Sequence, residues 1–410
     1  IYDLIGGIRW EWGLTVLLFG AATALFGVLF ALMQHDLKRL LAYSSVENIG
    51  IILIGIGLSM VFIGSGHPVA GALGLIAGLY HTLNHAVFKG LLFLGAGSIH
   101  TATGTRDLDR LGGLARRMPV TAATFAIGAL AIAALPPLNG FVSEWLLLQS
   151  LVHSLPSNAA AVAVAMPVAV AIVALTGGLA AATFVKAFGT AFLAMPRTIE
   201  ADQAHESSRT MQVGLVALSG ICVALALAPT VLAEPLQRVS NVVGGLADGQ
   251  PIHTNGVYLQ LSGIEAGLSP LLLATGLAVM MIAAMAVVRR GRARRTVRDI
   301  PAWGCGRTVQ TARMEYTATS FAEPLQRVFD DVLHPEIDVD VDHHTESRHY
   351  VQAIRYRLHT RDAFEHRLYL PLLAVVRRWG DGARRVQNGS IHRYLTYSLV
   401  TLIVVLVVSR

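Results

Sequence analysis

Lysine is nearly absent from this chain. Of its 32 Lys and Arg residues only Lys38, Lys89 and Lys186 are lysine, and the last two fall inside long apolar runs. Arginine stays protonated in proteins, whereas a buried lysine can release its proton, so the releasable cations have been kept where burial acts on them. Cysteine is scarcer still: Cys222 lies in an apolar run and Cys305 in polar sequence. Two cysteines in such different settings exclude a disulfide framework and a zinc site. Charged residues make up only 14% of the chain against 54% hydrophobic, with a mean hydropathy of +0.56. This balance excludes a disordered chain and points to a polytopic membrane protein. The net charge of +6 comes mainly from arginines beyond residue 288, a pattern suited to a cytoplasmic face or anionic lipid and not to nucleic acid. Nothing at the start reads as a signal peptide, and Ile1 opens loop-like sequence, as expected of the C-terminal part of a longer protein.

Several apolar runs reach the roughly 20 residues that cross a bilayer as a helix. Spans are expected over 13–34, 42–63, 71–97, 119–153 (long, and broken near its middle), 163–195, 211–233 and 268–288, with a final short one toward the end of the chain. Charge bias is consistent with this count. The loops 35–41, 98–118 and 196–210, which alternation places on one side, carry Lys38, Arg39, Arg106, Arg110, Arg116, Arg117, Arg197 and Arg209, and the next segment on that side opens with Arg289 and Arg290. The opposite loops carry only Arg9 and Arg238. By the positive-inside rule the basic side is cytoplasmic, so the chain is a multi-pass protein of the cytoplasmic (inner) membrane.

Within the third span stands His81-Thr-Leu-Asn-His85-Ala-Val-Phe-Lys89. Steps of four residues keep the three titratable groups within about 80° of one helix face over roughly 12 Å. Charge inside a membrane helix is expensive, so a row of such groups is by default an ion or proton path. Glu47, Glu144 and Lys186 are also ionisable and also sit in apolar runs, while the spans at 13–34, 211–233 and 268–288 hold none. Burial narrows the gap between the proton affinities of acids and bases, and groups matched in this way can exchange protons through water. Plainer roles exist for some of them: His81 and His85 as hydrogen-bonded core residues, Lys186 snorkelling toward the cytoplasmic face, Glu47 pairing with Lys38 or Arg39.

Pro136-Pro137-Leu-Asn139-Gly140 must interrupt the helix at membrane depth, because proline removes backbone donors and clashes one turn back. Such a break is tolerated only where protein or a wet cavity satisfies the freed groups. Glu144 is then expected in the first turn of the second half-helix, where the dipole favours an anion.

Residues 1–288 thus read as a transmembrane bundle and 289–390 as a polar cytoplasmic segment. Within that segment Leu372, Val375, Val376, Trp379, Ala383 and Val386 recur at helical spacing opposite Arg377, Arg378, Arg384 and Arg385, the pattern of an amphipathic helix on a membrane surface. It is expected over about 350–388 with a kink at Pro371. Residues 391–410 form the terminal span, with Tyr394 and Tyr397 as interfacial anchors. The stretch from Asp338 to His344 is not a calcium loop: counted from Asp338, the positions that need Gly and Glu hold His343 and His349. The fold class is all-α: a polytopic bundle with one discontinuous helix, an amphipathic lateral helix and a last span.

Three stretches, Gln34 to Ser45, His81 to Leu94 and Leu135 to Glu144, resemble the antiporter-like membrane subunits shared by respiratory complex I, multisubunit cation/proton antiporters and membrane-bound hydrogenases. Glu47-Asn-Ile-Gly50, Phe184 to Gly189, Trp303-Gly-Cys-Gly306 and Met314 to Thr319 are most similar to the branch of hydrogenase-4 component B and formate hydrogenlyase subunit 3. The resemblance implies that Lys89 is the central lysine of a half-channel and Glu144 its terminal group, with His81 and His85 between them. That half-channel is the second of such subunits, and the resemblance also implies a first one, with its own broken helix and Glu/Lys pair, that this sequence does not include. It implies protons, with sodium as the other candidate ion, moved by a subunit of an oxidoreductase complex with membrane and soluble partners. On this reading the chain has no catalytic centre and no cofactor of its own. A cation/proton antiporter subunit without redox partners and a non-pumping scaffold are the alternatives.

Overall fold

The computed structural model describes residues 8–152, 160–244, 250–262, 266–293, 303–307, 309–344, 347–360, 365–386 and 389–409. The chain forms two compact units, Ile1–Asp330 and Asp331–Arg410. The first unit is a helical bundle. Its helices are α1 (Trp10–Met33), α2 (Leu37–Gly64), α3 (Pro68–Thr103), α4 (Pro119–Ile132), α5 (Asn139–Val152), α6 (Ala160–Phe192), α7 (Arg209–Leu227), α8 (Thr230–Gly244), α9 (Pro270–Ala293) and α10 (Ala318–Val328). Strands β1 (Ile252–Asn255), β2 (Tyr258–Leu261) and β3 (Gly267–Leu268) make a small antiparallel sheet between α8 and α9.

Local sequence sets the helix ends. Asp36 caps α2 by accepting the Arg39 N–H at 3.0 Å. Pro68 opens α3, where its missing N–H costs nothing, and Gly104 closes it in the left-handed region at φ 67°. Helices α1, α2, α6, α7, α9 and the last helix of the chain are long and apolar enough to cross a membrane. At 36 residues α3 is longer than any of these, but its His, Asn and Lys residues make it more polar.

Helices α1 and α2 pack backbone to backbone. Gly13, Gly20 and Gly27 recur every seven residues on α1, and Gly50, Gly57 and Gly64 do the same on α2. A Cβ on Gly20 would meet the Gly50 carbonyl oxygen at 2.8 Å, and one on Gly27 would overlap the backbone of Glu47. The bundle has two apolar clusters. One includes Leu40, Leu41, Phe88, Leu91 and Phe125, and the other Leu17, Ile54, Ile76, Tyr80 and Leu146. Helix α3 feeds both, and its polar row falls where they meet.

The second unit holds β4 (Pro335–His344) and β5 (Ser347–Thr360), paired antiparallel, then α11 (Leu370–Val386) and α12 (Ile391–Val408). The chain is mostly helical, as expected, and the hairpin corrects one expectation, an amphipathic helix reaching back to about residue 350. Alternation decides the matter. Ile337, Val339 and Val341 alternate with Asp338, Asp340 and Asp342, a period of two that suits a strand, and Arg355 on β5 pairs with Asp340 at 3.5 Å and Asp342 at 3.2 Å. Pro371 then lies at the start of α11, which follows directly on a π-helical turn, Glu365–Tyr369. Arg294, Arg295 and Arg298 of the basic segment lie outside the described residues.

Candidate functional site

The discontinuous helix is where the site is built. Helix α4 stops at Ile132 and α5 starts at Asn139. Gly140 sits so close to the Ala131 carbonyl that a Cβ there would overlap it, so the second half begins tight against the end of the first. Helix α3 braces the start of the second half. Asn84 donates from Nδ2 to the Asn139 carbonyl at 2.9 Å, and Asn139 returns a bond from its own Nδ2 to Asn84 Oδ1 at 3.1 Å. Because α5 starts at Asn139, Glu144 falls in its second turn. That corrects the first-turn expectation: the dipole acts mainly within the first turn, so less of it reaches the carboxyl.

His81 is 2% exposed and bonds through both ring nitrogens, Nε2 to Asn48 Oδ1 at 3.1 Å and Nδ1 to Ser143 Oγ at 2.9 Å. Asn48 spends its Nδ2 on the Ser44 carbonyl at 2.8 Å. Its Oδ1 is therefore the acceptor, and the ring carries hydrogen on Nε2. A neutral ring then accepts from Ser143 at Nδ1. Ser143 Oγ also lies 3.0 Å from the Gly140 carbonyl and receives Asn84 Nδ2 at 3.1 Å. The serine proton thus has acceptors both on the ring and at the helix break, the carbonyls of Gly140 and Asn139.

One turn along α3 from Asn84 comes Phe88, whose ring meets His85 edge-on at 5.7 Å. His85 is half-buried, and its Nε2 is enclosed without a hydrogen-bond partner. Lys89 is buried, and its Nζ donates to the Leu41 carbonyl at 2.7 Å and to Ser44 Oγ at 2.6 Å. Glu47, 1% exposed, has a carboxylate oxygen with no hydrogen-bond partner, and its charge interacts with Lys89 and with Glu144. The pairing with Lys38 or Arg39 is not what the structure shows. A Cβ on Gly177 of α6 would come within 3.8 Å of a Glu144 carboxylate oxygen. Five of the six ionisable residues therefore share one polar seam across α2, α3 and α5.

Lys186 is the one set apart. It is 1% exposed, so it does not snorkel, and it donates to the carbonyls of Leu32 and Gln34 at the end of α1. Its charge interacts with Asp109, outside the spans. Asn48 stands out beside Glu47 in the sequence, whereas Asn84, Ser143 and Ser44 do not, although each is polar within an apolar run. Asp109 and His35 gave no such signal, because they lie in loops rich in charge.

The family described as NADH:quinone oxidoreductase/Mrp antiporter, TM, matches residues 2–170, the segment that holds α1 to α5. Residues 2–170 carry the membrane domain of that antiporter-like family. The chain is 36% identical to hydrogenase-4 component B of Escherichia coli, over 98% of this chain and 59% of that protein. It is 38% identical to formate hydrogenlyase subunit 3 of the same organism, over 81% of this chain and 52% of that protein. Among solved structures, the membrane-bound sulfane sulfur reductase, an archaeal respiratory membrane complex, contains a chain similar to 98% of this one, with a TM-score of 0.67, 25% identity and 57% of that chain covered. This antiporter-like chain spans somewhat more than half the length of the curated relatives it matches.

Proposed function

We propose that the chain is a proton-translocating membrane subunit of a hydrogenase-like or complex I-like assembly in which electron transfer takes place in partner subunits. What supports this reading is the grouping of Glu144, Glu47, Lys89, His85 and His81 on three packed apolar helices, four of the five buried. Ionisable groups are costly in that setting and serve ion pathways where they occur. Unpartnered atoms on Glu47 and His85 leave room in the hydrogen-bond plan for water, through which protons pass. The chain itself contributes no redox centre to this scheme. Its basic segment 289–390 faces the cytoplasm of a cell whose inner membrane holds the bundle, and the ion is the proton, with sodium as the alternative.

The test is to purify the assembly through a tag on this chain, reconstitute it in liposomes, and record electron transfer and lumenal pH together. Electron transfer accompanied by a pH change is expected. A stable assembly that transfers electrons with no pH change would leave the chain as a scaffold. Since the matching family also covers Mrp antiporters, the same liposomes are tested for proton movement driven by a sodium gradient without electron transfer. That result would favour the antiporter.

A further inference from the structure

Lys186 has no place in the seam just described, yet it is buried and positioned. Its two carbonyl partners, Leu32 and Gln34, lead directly into His35, the residue after Gln34. His35 Nδ1 stands 3.1 Å from Asp109 Oδ2. The two side chains are 33% and 28% exposed, so they reach the solvent while Lys186, whose charge interacts with Asp109, does not. The loop that carries His35 is held in place on its far side as well. The Leu37 N–H donates to the Arg106 carbonyl at 2.9 Å, the Leu108 N–H to the His35 carbonyl at 2.9 Å, and Arg106 pairs with Asp36 at 3.0 Å. From the chain beyond α9, the start of α10 covers the pair. The Ala318 N–H donates to Asp109 Oδ1 at 2.6 Å and Thr319 Oγ1 donates to Asp109 Oδ2 at 3.0 Å.

A carboxylate beside an imidazole suits proton exchange with water. The ring of a histidine is the side chain that ordinarily changes charge near neutral pH, and an adjacent carboxylate steadies the charged ring. From geometry we infer that His35 and Asp109 are the point at which Lys186 exchanges protons with bulk water, and that the first turn of α10 is the cap over that point. Lys186 is then the inner end of a short branch, with His35 as its solvent-facing donor and acceptor and Asp109 as the residue that orients the ring. The groups around Asp109 are His35 and the Asp36–Arg106 pair from the loops, Lys186 from α6, and Ala318 and Thr319 from α10. This inference rests on the proton-translocating reading above.

The test uses the whole assembly in liposomes, comparing the parent with Asp109→Asn, Asp109→Glu, His35→Gln and, as a marker of the main seam, Lys89→Met. The expected result is a drop of about tenfold in lumenal pH change for His35→Gln and Asp109→Asn with assembly intact, and near-parent behaviour for Asp109→Glu. Added imidazole, a diffusible proton carrier, should restore His35→Gln in proportion to its concentration and leave Lys89→Met unchanged. A purely structural latch would not respond to imidazole. Loss without rescue by imidazole or by Asp109→Glu overturns the inference. So does normal pumping by His35→Gln while Lys89→Met pumps nothing, which leaves the main reading in place. A parent complex that moves no protons overturns both.

Discussion

Lys186 and Lys89 fasten to the two helices that flank one turn. Lys186 donates to the carbonyls of Leu32 and Gln34 on the α1 side, and Lys89 donates to the Leu41 carbonyl and Ser44 Oγ on the α2 side. Between them lies the turn with His35 and Asp36. Both lysines are buried, Lys89 at 5% and Lys186 at 1% exposure. Only the structure shows that they face the same turn from opposite flanks.

Removing one of these anchors has a structural cost separable from function. In Lys186→Met the carbonyls that end α1 lose a charged donor, a loss of roughly 1–3 kcal/mol. The thermal midpoint of the detergent-solubilised protein is expected to fall by a few degrees, and Lys186→Arg, which keeps a donor, should fall less. Equal midpoints for the parent and Lys186→Met would show that the carbonyls find other partners.

The α1/α2 contact makes a sharper prediction. Gly27 lies against the backbone of Glu47, so Gly27→Leu must push the two helices apart, by a cost of roughly 1–3 kcal/mol or more. Fluorescence-detected size exclusion should show loss of the folded, monodisperse species. Gly97→Ala is the control, because a Cβ there meets nothing within 4 Å, and it is expected to stay within about 0.5 kcal/mol of the parent.

Ser143 is expected to matter for transport out of proportion to its size. Ser143→Ala leaves His81 Nδ1 without its partner while Asn84 keeps its bond to the Asn139 carbonyl. The rate of proton movement should drop about tenfold, the effect of one lost hydrogen bond near 1.4 kcal/mol. Ser143→Thr, which keeps the hydroxyl, should retain most of it. Parent-like pumping by Ser143→Ala would remove the serine from the path.

Acid should loosen the attachment of α10. Burial pushes the Asp109 carboxyl up, but the His35 hydrogen bond and charge, the Ala318 N–H and the Thr319 hydroxyl outweigh it and hold the group below the usual carboxylate range. A lowered value means stability that is fully present above the ordinary carboxylate range and lost as pH falls through and below it. Hydrogen exchange at the Ala318 amide should therefore accelerate, beyond its intrinsic pH dependence, as pH falls through and below about 4. Asp109→Asn should show weaker protection and no such acid step. An identical pH profile in both proteins would contradict this.

Much of the seam was legible in sequence because membrane burial makes polarity conspicuous. His81, His85 and Lys89 lie on α3 at the spacing read from the sequence, and Pro136-Pro137 stands between α4 and α5. The partners that orient them were not legible, since pairing across helices depends on how α2 and α5 rotate. Asn48 and Ser143 meet on His81 from sequence distances of 33 and 62 residues. The seven-residue glycine repeat was visible but unread, and it sets how near Glu47 comes to α1. The hairpin of β4 and β5 was hidden by the Arg-rich amphipathic pattern that follows it. The Asp109 junction was hidden because the residues that meet there, His35, Asp109 and Thr319, come from three separate loops and helix ends whose polarity looks ordinary.

The most direct measurement is the ratio of protons moved to electrons transferred by the reconstituted assembly, with and without Lys89→Met. Methionine keeps the length and the apolar packing of the side chain and removes its proton. The account predicts a ratio near zero for an assembled variant and a clear positive ratio for the parent. An unchanged ratio would contradict it, leaving Lys89 as a fastener for Leu41 and Ser44 and the seam as structure alone.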